Sequence, residues 1–359
     1  MFAPDRGEPS LSDPSSLPAA ARRVANEVLS PSAEETDQAA VVPRSRLAVL
    51  ADAGLFGLLG PRELGGSDAS PSVVRSVFET LAGACGVTFF VWVQHHAPVR
   101  LLVASSNAAL RRRLLPELCT GRQLGGVAFA HLRRRGPPPV RARSVDGGWV
   151  FSGEAPWVTS WGLAGLYAVA ALSEDDLVVF AAVDGDDELL VPSPPLRLAA
   201  MNASATVRLG LHDLAVPDER VITVLPLDEW RARDRVATAQ PNPAAFGVAG
   251  ACTRLLAELD GGSAAVLEQE RLRVRDESYR LADEGGPGPE AVQRLVELRA
   301  WSLELAVRSA SALVAAVGGR SMLLDHPAQR LLREAAFYAI QAQTPAVREA
   351  ALRRLQSRS

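Results

Sequence analysis

The chain has 359 residues, 48% of them hydrophobic and 22% charged, and a formal net charge of −3. This is globular composition, and it excludes a disordered or low-complexity chain and a strongly basic nucleic-acid binder. All 38 basic residues are arginine, which rules out a P-loop lysine, a Schiff base to pyridoxal phosphate and a kinase-type ATP lysine.

Residues 1–16 are rich in Pro, Ser and Asp and lack the basic and apolar regions of a secretory signal. Residues 1–20 are expected to be a disordered tail. Residues 21–120 read as a helical domain. Leu47, Leu50, Leu55 and Leu58 recur by threes and fours, Gly54 and Gly60 mark stops, Gly65-Gly66-Ser67 marks a turn, and Pro71 opens the next helix. Residues 108–118 form an amphipathic helix with Arg111, Arg112 and Arg113 on its wet side.

The pattern changes at Gly121. Short runs rich in β-branched or aromatic residues fill 121–222, separated by Asp146-Gly147-Gly148, Asp184-Gly185-Asp186 and the prolines of 192–195. They read as an antiparallel sandwich or barrel. Residues 223–359 return to helical spacing, with breaks at Pro241-Asn242-Pro243, at 285–288 and at Gly318-Gly319, and a restart at His326-Pro327. The order is helical domain, β domain, helical bundle.

Cys85, Cys119 and Cys252 are far apart and odd in number, which fits buried thiols in a reducing cytoplasm rather than a disulfide framework or a zinc site. Two uncharged runs, 81–99 and 155–173, contain His95 and His96 or Pro156, Thr159, Ser160 and Gly162, so neither reads as a membrane span.

Five segments in a fixed order carry a resemblance: LAVLADAGLFGLLGPRELGGS (47–67), LRRRLLPELCTGRQLGGVAFA (110–130), DGGWVFSGEAPWVTSWG (146–162), LHDLAVPDERVI (211–222) and VGGRSMLLDHPAQRLLREAAFYAIQAQTPAVREAALRRL (317–355). Together they resemble the acyl-CoA dehydrogenase family over residues 35–355. The resemblance implies an α+β chain: an N-terminal helical domain, a middle antiparallel β domain and a C-terminal four-helix bundle. It also implies bound FAD. The family's W-I-T-N segment corresponds to Trp157, Val158, Thr159 and Ser160, where a flat wall and hydrogen-bond donors suit a flavin ring. Phe129, His131, Gly318, Gly319 and Thr344 complete the implied cofactor contacts, Gly318-Gly319 by letting a partner subunit's backbone come close.

Three departures from the family pattern bear on chemistry. The I-x-E-G-T stretch reads Ile340-Gln341-Ala342-Gln343-Thr344, so alanine stands where the usual basic glutamate would be. Some relatives keep the base beside an arginine early in the C-terminal helices, and Asp234-Arg235 resembles that pair. The loop that usually reads T-E-P-x-x-G-S-D is His131-Leu132-Arg133-Arg134-Arg135 followed by Gly136 and three prolines. Its arginines suit a phosphate of coenzyme A or of a carrier protein's phosphopantetheine. The R-x-x-F-G stretch that grips the flavin pyrophosphate is missing after Leu259.

Substrate contacts are expected from His95, Arg133, Arg235 and Gln341, Glu334 is expected in a buried structural ion pair, and no metal site is expected. Three functions follow from this reading. The first is a flavin-dependent oxidoreductase acting on an acyl-CoA or acyl-carrier-protein thioester. The second is a flavin monooxygenase fed by a reductase. The third is a redox-inactive relative serving as a binding partner or non-redox catalyst in a biosynthetic pathway. The resemblance implies a homodimer or homotetramer joined through the C-terminal bundle.

Overall fold

The computed structural model describes residues 16–134, 136–284, 286 and 288–356. Seven α-helices come first: α1 (Leu17–Val24), α2 (Ala33–Gln38), α3 (Arg44–Asp52), α4 (Pro71–Ala84), α5 (Gly86–Gln94), α6 (His96–Val103) and α7 (Ala108–Cys119). Eight strands follow: β1 (Gly125–Ala128), β2 (Val140–Val145), β3 (Gly148–Val158), β4 (Leu166–Ser173), β5 (Leu177–Asp184), β6 (Leu190–Pro192), β7 (Val207–Pro217) and β8 (Val221–Pro226). Six helices close the chain: α8 (Leu227–Ala239), α9 (Pro243–Ala257), α10 (Gly261–Glu284), α11 (Pro289–Val317), α12 (Pro327–Ile340) and α13 (Pro345–Gln356).

Local chemistry sets several helix starts. Ser70, Asn107, Asn242 and His326 each accept a backbone N–H of the first turn of α4, α7, α9 and α12. In α4, α9 and α12 a proline follows at once, where its missing N–H costs nothing. The break read at Pro241–Pro243 is therefore the cap of α9.

The tail expected over residues 1–20 needs correction at its end. Leu17 begins α1 and is fully buried, with Ala20 also inside; residues 1–15 lie outside the described residues. The apolar run 81–99 spans the end of α4, α5 and the start of α6, split at Cys85, whose backbone is extended. The run 155–173 is the end of β3 and all of β4. One helical run, Pro289–Met322, is long and apolar enough to cross a membrane by length and composition; half of its most apolar window is buried inside the protein.

The sheet runs β6-β7-β3-β2-β4-β5-β8, with β1 also on β4. It is mixed rather than purely antiparallel, because β1 and β2 both pair parallel to β4. They lie end to end along one edge of β4: β1 meets Leu166–Val169, and β2 meets Leu172 and Ser173. The loop between them, residues 129–139, leaves the sheet at that break.

Alternating side chains send the two faces to different cores. Tyr167, Val169 and Ala171 join a core shared with α4, α5, α9 and α11. Leu166, Ala168, Ala170 and Leu172 face Leu102, Leu114, Leu118 and Trp230 of α6, α7 and α8. The N-terminal helices meet the bundle where α4 crosses α9 at two glycines. A Cβ on Gly247 would stand 2.2 Å from the Glu79 carbonyl, and one on Gly83 would stand 2.6 Å from that of Gly247.

Candidate functional site

The site grows from the end of β3. Its pairing with β7 is irregular between Ala155 and Val158, and the chain then turns. Trp157 and Ser160 have φ of 59° and 67°. The neighbouring loop between β6 and β7 contains Met201 at 59° and Ala205 at 50°. Left-handed backbone at a non-glycine residue costs on the order of 1 kcal/mol. Four such residues in two touching loops mark strain held by packing. The loops are joined by Ser160 N–H to Ser204 O at 2.9 Å and Trp161 N–H to Ala205 O at 3.2 Å.

The side chains there differ in role. Trp157 is 49% exposed, whereas Val158, Thr159 and Ser160 are buried. Thr159 and Thr206 hydroxyls lie 3.1 Å apart, and Thr206 and Ser204 hydroxyls 2.8 Å apart, so Thr159 is already engaged. The Ser160 hydroxyl is buried without a hydrogen-bond partner. Tyr167 donates to the Ser160 carbonyl at 2.9 Å and fixes the turn.

A second group lies in the loop that leaves the sheet between β1 and β2. Phe129 is half-buried and edge-on to Phe180, with ring centroids 5.5 Å apart. His131 is buried, and neither ring nitrogen has a hydrogen bond. Burial pushes it down to about 4, so it is neutral. Arg133 reaches α8 and grips Asp234. Nε lies 3.2 Å from Oδ1 and 2.9 Å from Oδ2, and Nη2 lies 2.7 Å from Oδ1. Asp234 is thus no free carboxylate, and Oδ2 takes one donor against two on Oδ1. Arg235, next along α8, is exposed.

Sequence reasoning missed two contributors. Arg299 of α11 is buried, donates Nη1 to the Gln240 carbonyl at 2.8 Å and leaves Nε without a partner. Burial, and then the Arg133 charge, push it down to about 10. The 200–206 loop was the other omission; no sequence pattern marks αL backbone at Met201 or Ala205.

Other expected residues lie apart from this group. His95 was expected to face substrate, but it is fully buried, lies 4.8 Å from the Phe56 ring and accepts the Gly125 N–H on Nδ1 at 3.0 Å. It pins the α5–α6 junction to β1. Burial pushes it down to about 3. His96, wedged between Phe78 and Trp92, is pushed well below its ordinary value by burial and by His95.

Gly318 and Gly319 are exposed in the turn before α12, and a Cβ there would meet nothing within 4 Å. Gln341, Ala342 and Thr344 are half-buried in the turn after α12. A helix of 14 residues separates the two turns, about 20 Å, so one copy does not bring them together. Ala342 has φ of 52°, and the Thr344 hydroxyl accepts Val347 N–H at the start of α13.

Glu334 is buried as expected, but its partner is Arg330 at 2.9 Å rather than Arg333. Arg330 also meets Glu34 at 3.0 Å, and the Glu334 carboxylate accepts the Gly86 N–H at 3.0 Å. Arg333 instead pairs with buried Asp37. Among the described residues, no group of three His, Cys, Asp or Glu side chains is placed to hold a metal. Two open clefts, about 580 and 660 Å³, are present: the first, by Arg44, Phe56 and Asp184, is also lined by Gly162, Leu163 and Ala164 at the end of the Trp157–Ser160 turn, and the second lies by Val191, Arg208 and His212.

Comparison with known proteins bears on this arrangement. The family profile described as acyl-CoA dehydrogenase, N-terminal domain, matches residues 13–122. Cyclohexane-1-carbonyl-CoA dehydrogenase of Syntrophus aciditrophicus is 23% identical over 346 residues, covering 88% of this chain and 89% of its own. The mitochondrial 2-methylacyl-CoA dehydrogenase of Solanum tuberosum is 24% identical over 361 residues, covering 91% and 86%. The structure of butyryl-CoA dehydrogenase from Megasphaera elsdenii superposes with a TM-score of 0.80 at 16% identity, over 98% of this chain and 100% of that one. The helices, mixed sheet and helical bundle described above are the fold of these enzymes, and the N-terminal third of the chain carries the match to the acyl-CoA dehydrogenase family.

Proposed function

We propose that the chain is a flavin-dependent oxidoreductase that desaturates, or otherwise oxidises by two electrons, an acyl group held as a thioester. The observation that carries this reading is the strained seam of Trp157–Ser160 against the 200–206 loop, with a half-exposed indole beside a buried, unpartnered Ser160 hydroxyl. Strain and an unpaired polar atom persist where a site is preformed for a ligand. A flat heterocycle with a polar edge suits them, so the residues fit FAD. Neutral His131, with two unpartnered ring nitrogens, adds a further donor.

Bound flavin supplies a two-electron acceptor. The chain's own groups do the rest. Trp157 would give a flat apolar wall to the ring, with Val158 buried next to it, and the Ser160 hydroxyl and a His131 ring N–H would be available as donors to its polar edge. Thr159 keeps the turn rigid through Thr206. With alanine at 342, the proton leaving the α-carbon goes to Asp234 Oδ2, the less occupied of its two oxygens. Arg133 orients that carboxylate, and exposed Arg235 stands next to it on α8.

Assembly through the C-terminal bundle, as dimer or tetramer, is part of the same proposal. Met322, Leu323 and Leu324, just after Gly318-Gly319, are 57%, 56% and 59% exposed and support it. The second reading, a redox-inactive relative, draws on Ala342 and on the arginine-bound state of Asp234.

The test is a visible spectrum of purified, desalted protein, followed by cofactor release. Oxidised flavin near one FAD per chain, bleached by an acyl thioester, supports the oxidoreductase. Colourless protein that fails to take up added FAD or reduced flavin overturns it and leaves the redox-inactive reading.

A further inference from the structure

We propose that the basic face formed by the Arg133-Arg134 turn and strand β2 docks an acidic carrier domain, which delivers the acyl group on a phosphopantetheine arm. The inference rests on the acyl-thioester reading above and names what carries that thioester.

Residues 131–145 contain five arginines and no carboxylate, in a chain whose net charge is −3. Arg133 is neutralised by Asp234 of α8. Arg134, Arg141 and Arg143 are exposed and, among the described residues, have no carboxylate partner. Arg141 and Arg143 alternate along β2, so they stand on one face of the sheet, about 7 Å apart. Register identifies the face. Arg141 lies beside Leu172 of β4, and Leu172 packs in the core beneath α6, α7 and α8. The strand arginines, the Arg133 turn and exposed Arg235 of α8 therefore share one side of the sheet. On this side Glu154 meets Arg208 at 3.8 Å and Asp213 accepts the Ser152 hydroxyl at 2.6 Å, while the exposed carboxylates of Glu174, Asp175 and Asp176 follow Ser173 at the end of β4 and border the row.

The geometry favours a macromolecule over a free nucleotide. Arg141 and Arg143 project from an open strand in mid-sheet and enclose nothing. A single exposed ion pair is worth less than about 1 kcal/mol, so isolated phosphates gain little here. A surface with several carboxylates meets the whole row at once, and complementary charge raises the rate of encounter. The row leads along the same loop to Arg133 and Asp234, where a tethered thioester would enter.

The test uses the full-length protein and a fluorescently labelled acidic holo-acyl carrier protein, with anisotropy as the readout. Saturable binding is expected at about 0.05 M salt, weakening severalfold at about 0.3 M as screening shortens. Arg141→Glu with Arg143→Glu should weaken it at least tenfold, with thermal melting as the control for folding. A butyryl group is then offered on the carrier, on coenzyme A and on pantetheine alone, and flavin bleaching is followed. The double variant should lose at least tenfold in kcat/KM on the carrier and change little on pantetheine.

No binding of the carrier, equal loss on coenzyme A, or tighter binding of a DNA oligonucleotide overturns the proposal. Carrier binding that follows charge, without bleaching by any thioester, keeps the docking face and overturns the oxidoreductase reading instead.

Discussion

Acid sensitivity offers a direct check on the interior. His95, His96 and His131 are buried and neutral: burial pushes His95 down to about 3 and His131 to about 4, and His96 well below the ordinary 6.5. An unfolded chain binds a proton on each near pH 6.5, while the folded chain does not. Folding stability is therefore complete above pH 6.5 and falls as pH drops, until the folded values near 4 and 3 are reached. Between about pH 6.5 and about pH 5, each histidine removes roughly 1 to 2 kcal/mol, or about 5 kcal/mol for the three. That is a large part of the 5–15 kcal/mol typical of a folded protein. Unfolded carboxylates titrate mostly below this window, so histidine dominates it. The assay is urea unfolding from neutral pH to about pH 5, on the parent chain and on His96→Phe. Both His96 nitrogens are unpartnered and its ring lies between Phe78 and Trp92. Phenylalanine should thus cost little at pH 7 and should cut the acid loss by about 1 to 2 kcal/mol. An unchanged acid loss in His96→Phe would refute the reasoning.

Other outcomes follow from single contacts. Glu334→Ala leaves buried Arg330 short of one carboxylate and should cost about 3 to 5 kcal/mol, with Glu334→Gln milder because it keeps the Gly86 bond; chemical denaturation reads both, and a loss under about 0.5 kcal/mol for the alanine variant would contradict the buried pair. Gly247→Ala should lower the melting temperature, because its Cβ would press on the Glu79 backbone and force α4 and α9 apart at a cost of about 2 kcal/mol; an unchanged melt argues against this crossing. Ser160→Ala removes a hydroxyl that bonds nothing in the chain, so stability should hold while FAD retention after gel filtration falls; equal retention removes Ser160 from the cofactor site. Asp234→Asn should slow thioester-driven flavin bleaching by at least about 100-fold while leaving the spectrum intact; a normal rate places the proton acceptor elsewhere.

Local patterns in the sequence carry the helix boundaries. Ser70-Pro71, Asn242-Pro243 and His326-Pro327 announce α4, α9 and α12 because capping needs only a side-chain acceptor and a fixed φ within one turn. The three-part order was legible for the same reason, since contiguous strings carry it. The burial of Glu334 was also readable, but its partner was not: Arg330 lies one helical turn away and Arg333 is its neighbour, and only packing against Asp37 and Glu34 decides between them.

What the sequence determined alone was thus what residues near in the chain impose on one another: helix starts, strand alternation, composition and the missing carboxylate at Ala342. Tertiary structure decided the contacts between distant residues. It paired Arg133 with Asp234 across 101 positions, turned His95 from a presumed substrate group into a bond on Gly125, and set β1 and β2 parallel on β4. It also drew Leu17 into the core from a segment whose composition reads as a tail. Propensity acts over a few bonds, whereas a charge, a buried nitrogen or an apolar side chain takes its meaning from whichever groups the fold brings within a few ångströms.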